Sequence, residues 1–172
     1  MKNTYTLLTC LFCAIQTFAQ QRYDVVINEI MANPSSAPGL PAAKYIELYN
    51  ASAQPVQLKG WTLSDGSNAA MIKTDLLLMP DSFAVISSSA GATLLSAFTK
   101  VISVTSFPTL RVNGDLIVLR SNKGVLIHAV QYDRSWYGNE VKAAGGWSLE
   151  MIDAQNPCSG KSNWKAGTNS NG

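Results

Sequence analysis

From Asp24 onward the apolar residues recur at every second position in short runs, and Gly, Pro, Asn and Ser separate the runs. A period of two sends alternate side chains to opposite faces of an extended chain, whereas an amphipathic helix needs a period near 3.6. The pattern predicts a first strand over 24–30 (DVVINEI) and a second over 44–49 (KYIELY). Short strands follow at 56–58 and 60–64 around a bend at Lys59-Gly60, and the turn Pro80-Asp81 launches another over 82–87. Residues 71–78 read as strand or coil. Segment 33–41 (NPSSAPGLP) carries three prolines, which cannot donate to a sheet ladder, and reads as loop. Segment 87–92 (SSSAGA) also reads as loop, 93–99 as the one stretch able to form a helical turn, and 101–104 as an edge strand.

The clearest local unit is a hairpin. Its strands cover 115–120 and 125–132, and the connection Ser121-Asn122-Lys123-Gly124 ends in the glycine that a positive φ favours. Trp147 to Met151 is the last predicted strand, and 157–172 reads as polar coil. About nine short strands at this spacing imply an all-β fold of two packed antiparallel sheets, since one sheet alone would leave an apolar face in water. On the second strand Ile46 and Leu48 share the core face, while Tyr45, Glu47 and Tyr49 share the other. Glu47 is therefore expected to point outward with its carboxylate hydrated.

With 172 residues, 47% of them hydrophobic and 14% charged, the chain suits one well-buried domain. A formal net charge of +2 offers no broad field for a polyanion. No basic stripe interleaved with aromatics appears, although Lys161 and Lys165 sit near Trp164, so nucleic acid is a weakly supported partner. The first nineteen residues have another character: Lys2, then the short apolar run Leu7 to Ala19, then small residues at Thr17 and Ala19. This is the pattern of a secretory signal peptide cut near Ala19, and the run is too short to span the roughly 30 Å core of a bilayer. Export to the surface, periplasm or exterior is expected, with no transmembrane segment in the mature form. Lipid attachment at Cys10 or Cys13 fits less well, because few apolar residues precede Cys10 and Phe12 stands directly before Cys13. Loss of that segment leaves Cys158 alone, which excludes an intramolecular disulfide and makes burial its most ordinary fate.

Tests for reactive chemistry return few candidates. His128 is the sole histidine, so zinc sites built on two or three imidazoles are excluded within the chain, and its mid-strand position suits a structural role. Gly160-Lys161-Ser162 imitates the end of a phosphate-binding loop, but position 155 holds Gln155 where that motif needs glycine. Glu29 and Glu47 sit at the centres of neighbouring predicted strands. Like charges placed opposite repel, so the pair is expected to be staggered, to meet Lys44 or Arg120, or to share a cation with Asp65, Asn50 or Asp24 as conceivable contributors. No catalytic, cofactor or metal residue is assigned, and binding residues stay unassigned. Trp61 and Trp147 are expected in the core and Trp164 at the sandwich end, with Trp136 open between core and contact surface.

Four segments, read in order, carry a resemblance: Val26-Ile27-Asn28-Glu29-Ile30, Tyr45-Ile46-Glu47-Leu48-Tyr49-Asn50, Leu58 to Asp65 (LKGWTLSD) and Gly114 to Leu119 (GDLIVL). Together they resemble the lamin tail domain family in its bacterial secreted form. Gly146 to Glu150, Asn156-Pro157-Cys158 and Asn163-Trp164 are similar to bacterial members as well. The resemblance implies an immunoglobulin-like β-sandwich over 24–155 followed by a polar tail, 156–172. It also implies no enzymatic activity of its own, a framework role for the Glu47 strand, and a turn begun by Asn50. Bacterial members continue with a Gly-Thr-Pro-Gly stretch where this chain has Asn171-Gly172, which leaves room for a further domain. The expected function is a non-catalytic exported module for binding, adhesion or spacing, its partner a protein or cell-surface component. The alternative is an accessory domain of a secreted nuclease or phosphoesterase.

Overall fold

A computed structural model describes residues 20–35 and 41–168. The predicted signal segment 1–19 with Cys10 and Cys13, the middle of the Pro-rich loop and the last four residues lie outside them. The strands run β1 (Val25–Met31), β2 (Tyr45–Asn50), β3 (Val56–Gln57), β4 (Thr62–Ser64), β5 (Ala69–Met71), β6 (Leu77–Leu78) and β7 (Phe83–Ser88). A helix, α1 (Ser89–Leu95), then leads to β8 (Val101–Val104), β9 (Gly114–Arg120) and β10 (Leu126–Asp133). A short helix α2 (Glu140–Ala143), β11 (Leu149–Met151) and β12 (Trp164–Ala166) complete the order.

Period two produces two facing sheets, as it should. A six-stranded sheet in the order β12-β11-β1-β2-β7-β8 stands against a four-stranded sheet β10-β9-β4-β5, with β3 and β6 paired beside them. Ile27, Ile30, Ile46, Leu48 and Ile86 from the first meet Leu63, Ile117, Leu119 and Ile127 from the second, around a fully buried Trp61. Among the described residues no helix is long and apolar enough to cross a membrane.

Four departures from the sequence reading have physical causes. Segment 87–92 was expected to be loop, yet α1 begins at Ser89, because the Ser88 side chain caps it by accepting from the Gly91 N–H. The helix makes β8 run parallel to β7, since a crossover returns the chain in its original direction. The 157–172 coil contains a 3₁₀ turn, Gly160–Asn163, and then β12, whose buried Trp164 and Ala166 flank an exposed Lys165. Three residues are too few for alternation to register as a strand. Cys158 is exposed rather than buried, and its thiol donates to the Tyr23 hydroxyl at 2.8 Å.

The hairpin fares better. β9 and β10 pair antiparallel, and Gly124 takes φ +76° in the connection, as its place there demands.

Candidate functional site on the outer face of the larger sheet

One line of residues crosses all six strands in register on the side away from the core. Lys165 pairs with Glu150, Glu150 with Glu29, Glu29 with Glu47, Glu47 with Val85 and Val85 with Val101. Neighbouring strands lie about 4.8 Å apart, so three carboxylates stand side by side at roughly that spacing. Glu29 reaches this face through a β-bulge: the register slips between Ile27 and Glu29, so Ile27 and Ile30 are buried while Asn28 and Glu29 between them are half-exposed. Asn28 then donates to Glu47 Oε1 at 3.0 Å, and the Tyr45 hydroxyl donates to Glu29 Oε1 at 2.6 Å.

The carboxylates are neither staggered nor neutralised as expected. Lys44 Nζ donates instead to the carbonyls of Thr109 and Leu110, and Arg120 to that of Gly124. Among the described residues the only ion pair on the row is Lys165 with Glu150, at 3.8 Å. Among the described residues no group of three Asp, Glu, His or Cys is placed to hold a metal ion. The three conceivable cation ligands lie elsewhere and are engaged. Asp24 accepts from Gln21 N–H, and Asn50 accepts from Ser52 N–H while donating to the Gln54 and Leu78 carbonyls. Asp65 is buried, which would raise its pKa, but N–H groups of Thr109, Asn68 and Ser67 outweigh burial and hold it well below the usual carboxylate range.

Glu47 does point away from the core, but it is half-buried and not freely hydrated. The outer face carries its own apolar cluster of Met31, Ala43, Tyr45 and Leu95, with Val85 and Val101 packed on it, and α1 supplies the Leu95 lid. Desolvation is the largest cause lifting the Glu47 pKa to about 7; the Asn28 hydrogen bond opposes it, and the charges of Glu29 and Glu150 add to it. Glu150 is raised for the same first reason and by Glu29, against the pull of Lys165 and Lys142. Burial and the Glu29 charge push the Tyr45 hydroxyl up beyond any working pH, so it stays a donor.

His128 does not join the carboxylates. It lies on the core side of β10, 1% exposed, where its Nδ1 accepts the Ile27 N–H at 2.8 Å. β11 is registered only to Glu29 and Ile30, so the sheet ends before Ile27 on that side and the imidazole takes the place of a strand partner. Nδ1 is therefore the bare nitrogen. Nε2 lies near the Pro157 carbonyl without making a hydrogen bond, and burial holds the pKa down to about 4.

Of the aromatic residues, Trp61 is core and Trp164 is buried with its ring 5.9 Å from that of Trp136, so the two close one end of the sandwich together. Trp147 was expected in the core; it is half-buried ahead of β11, with Lys142 Nζ 4.3 Å from the ring centre. Burial of Trp164 and the engagement of Lys165 with Glu150 mean that Lys161, Lys165 and Trp164 form no exposed stacking patch. Sequence reasoning missed Glu150 and Tyr45 as neighbours of Glu29, and Asn28 as a partner of Glu47. A signal existed for Glu150, because Leu149-Glu150-Met151 repeats the apolar, acidic, apolar order of Ile46-Glu47-Leu48.

No curated protein matches the chain. A family model described as Lamin Tail Domain matches residues 19–134, more than half of the chain. That domain is a non-catalytic immunoglobulin-like fold, in accord with the sandwich seen here, and the chain belongs to the lamin tail domain family.

Proposed function

We propose that the chain is an exported, non-catalytic module that binds a protein or cell-surface component through the outer face of its larger sheet. The observation that carries this reading is the in-register row of three glutamates, which runs directly into apolar Val85. Such a face offers charge and apolar surface side by side, the mixture that contact surfaces use. Export is supported by the composition of residues 1–19, and N-terminal sequencing of protein recovered outside the cytoplasm should begin near Gln20. Affinity capture on the purified chain, probed with extracts of surface proteins and glycans, tests the binding role. Specific capture of a surface component is expected; no capture, together with phosphodiester or phosphomonoester hydrolysis by the same preparation, would replace the reading with a catalytic one.

A further inference from the structure

The residue that follows the predicted signal segment has chemistry of its own. Thr17 and Ala19 put the cut before Gln20, and only Gln21, Arg22, Tyr23 and Asp24 separate Gln20 from β1. Inside a chain the backbone nitrogen of a glutamine is an amide and attacks nothing. Freed by the cut, it is an amine that titrates at about 8, so part of it is unprotonated and nucleophilic at neutral pH. The N, Cα, Cβ, Cγ and Cδ atoms of that one residue make a five-membered ring, and attack within a residue has a large entropic advantage over attack between molecules.

Gln20 is half-buried against the domain. The Gln21 N–H donates to Asp24 Oδ2 at 2.6 Å and the Asp24 N–H to the Gln21 carbonyl at 3.3 Å, so residues 21–24 form a turn. Tyr23 takes φ +70° in that turn, and its N–H donates to the Ile127 carbonyl of β10 at 2.9 Å. Gln20 lies in a cleft of about 300 Å³ whose opposite wall is the loop 52–56. Among the described residues lining that cleft Asp24 alone is ionisable, and its Oδ2 already holds the Gln21 N–H. An ammonium on Gln20 would stand two residues from the Arg22 guanidinium with that one engaged carboxylate as counter-charge. A lactam is neutral and needs none.

We propose that Gln20 is a modification site, closed to a pyroglutamyl ring in the mature protein. The inference rests on the export reading and goes beyond it. In the step the Gln20 backbone nitrogen bonds to its own Cδ, the Cδ–Nε2 bond breaks, and ammonia leaves with the proton that the amine gives up. No oxidant, reductant or second substrate takes part. Closure removes the terminal positive charge and leaves no α-amine for an aminopeptidase to grip, so the turn that joins Ile127 and leads into β1 starts from a capped end.

The test uses the full chain, expressed with residues 1–19 in a host that exports it, recovered outside the cytoplasm and kept at neutral pH. Mass spectrometry of the N-terminal peptide should find residue 20 first and lighter than glutamine by one ammonia. Stepwise N-terminal sequencing should be blocked in most chains until pyroglutamyl aminopeptidase removes the ring and exposes Gln21. Gln20→Ala, cut at the same place, should show a free amine and no loss of ammonia, whereas Gln21→Ala should keep the ring, since closure uses residue 20 alone. Chains that begin at Gln20 with a free amine and an intact side-chain amide overturn the proposal and leave export standing. So does a loss of ammonia that persists in Gln20→Ala, which places it at another residue. A first residue other than 20 overturns the cut and the ring together, and chains that keep residues 1–19 overturn the export reading itself.

Discussion

A buried imidazole that accepts a backbone N–H can do so only while it is neutral. His128 holds the Ile27 N–H at 2.8 Å with a pKa held down to about 4, against about 6.5 in an unfolded chain. The unfolded state therefore binds the proton first, and the stability from this residue is complete above pH 6.5 and lost as pH falls toward 4. Glu47 has the opposite sign. Its folded pKa, about 7, lies above its unfolded one near 4.5, so its contribution is favourable below pH 4.5 and is lost as pH rises to 7. Between those limits the two residues oppose each other and flatten the profile. Urea unfolding across pH 4–8 should show this: Glu47→Gln raises the midpoint at pH 8 far more than at pH 4.5, and leaves the acid-side loss due to His128 in plain view. His128→Ala orphans the Ile27 N–H and opens a cavity, a loss of roughly 2–4 kcal/mol at pH 7. The imidazole was legible as a strand residue, but its partner belongs to the other sheet and a hundred residues earlier, a contact that no local pattern encodes.

At the scale of elements, the hairpin was readable because its cue is local: Gly124 alone permits the φ of +76° that closes β9 onto β10. α1 was not readable, because Ser, Ala and Gly show no hydrophobic period and the helix depends on a cap and a close fit. Gly91 is buried against the Ser87 hydroxyl, which itself donates to the Lys44 carbonyl at 2.6 Å. A methyl group at Gly91 would displace that hydroxyl, so Gly91→Ala should destabilise the protein by about 1–3 kcal/mol despite the better helix propensity of alanine. Ser88→Ala should cost about 1 kcal/mol through the lost cap. Thermal unfolding of both variants checks the order. The Asn28 bulge was equally hidden: strict alternation would have put Asn28 and Glu29 on opposite faces, and the bulge puts both outside, where Asn28 touches Glu47.

For the whole molecule, the sequence carried the two-sheet architecture because alternation is a property of many residues at once, whereas register is a property of pairs. Glu29 and Glu47 were foreseeable as neighbours; that Glu150 and Lys165 complete their row depends on β11 and β12 docking beside β1. Those strands belong to the fold and are no appendage. Asn163, buried in the turn before β12, accepts from Asp153 N–H and donates to the carbonyls of Asp153 and Asn156. A chain ended at Ser159 would expose Trp136 and Met151 and leave one edge of β11 open, so it should lose cooperative unfolding and aggregate, as light scattering with tryptophan emission would report.

The position of β1 has one more consequence. It precedes every other described strand yet lies inside the finished sheet, with β2 on one flank and the much later β11 on the other. During synthesis that second flank waits, unpaired, until β11 has been made. Closing so long a loop is slow, so the nascent chain needs either speed elsewhere or a chaperone on the waiting backbone.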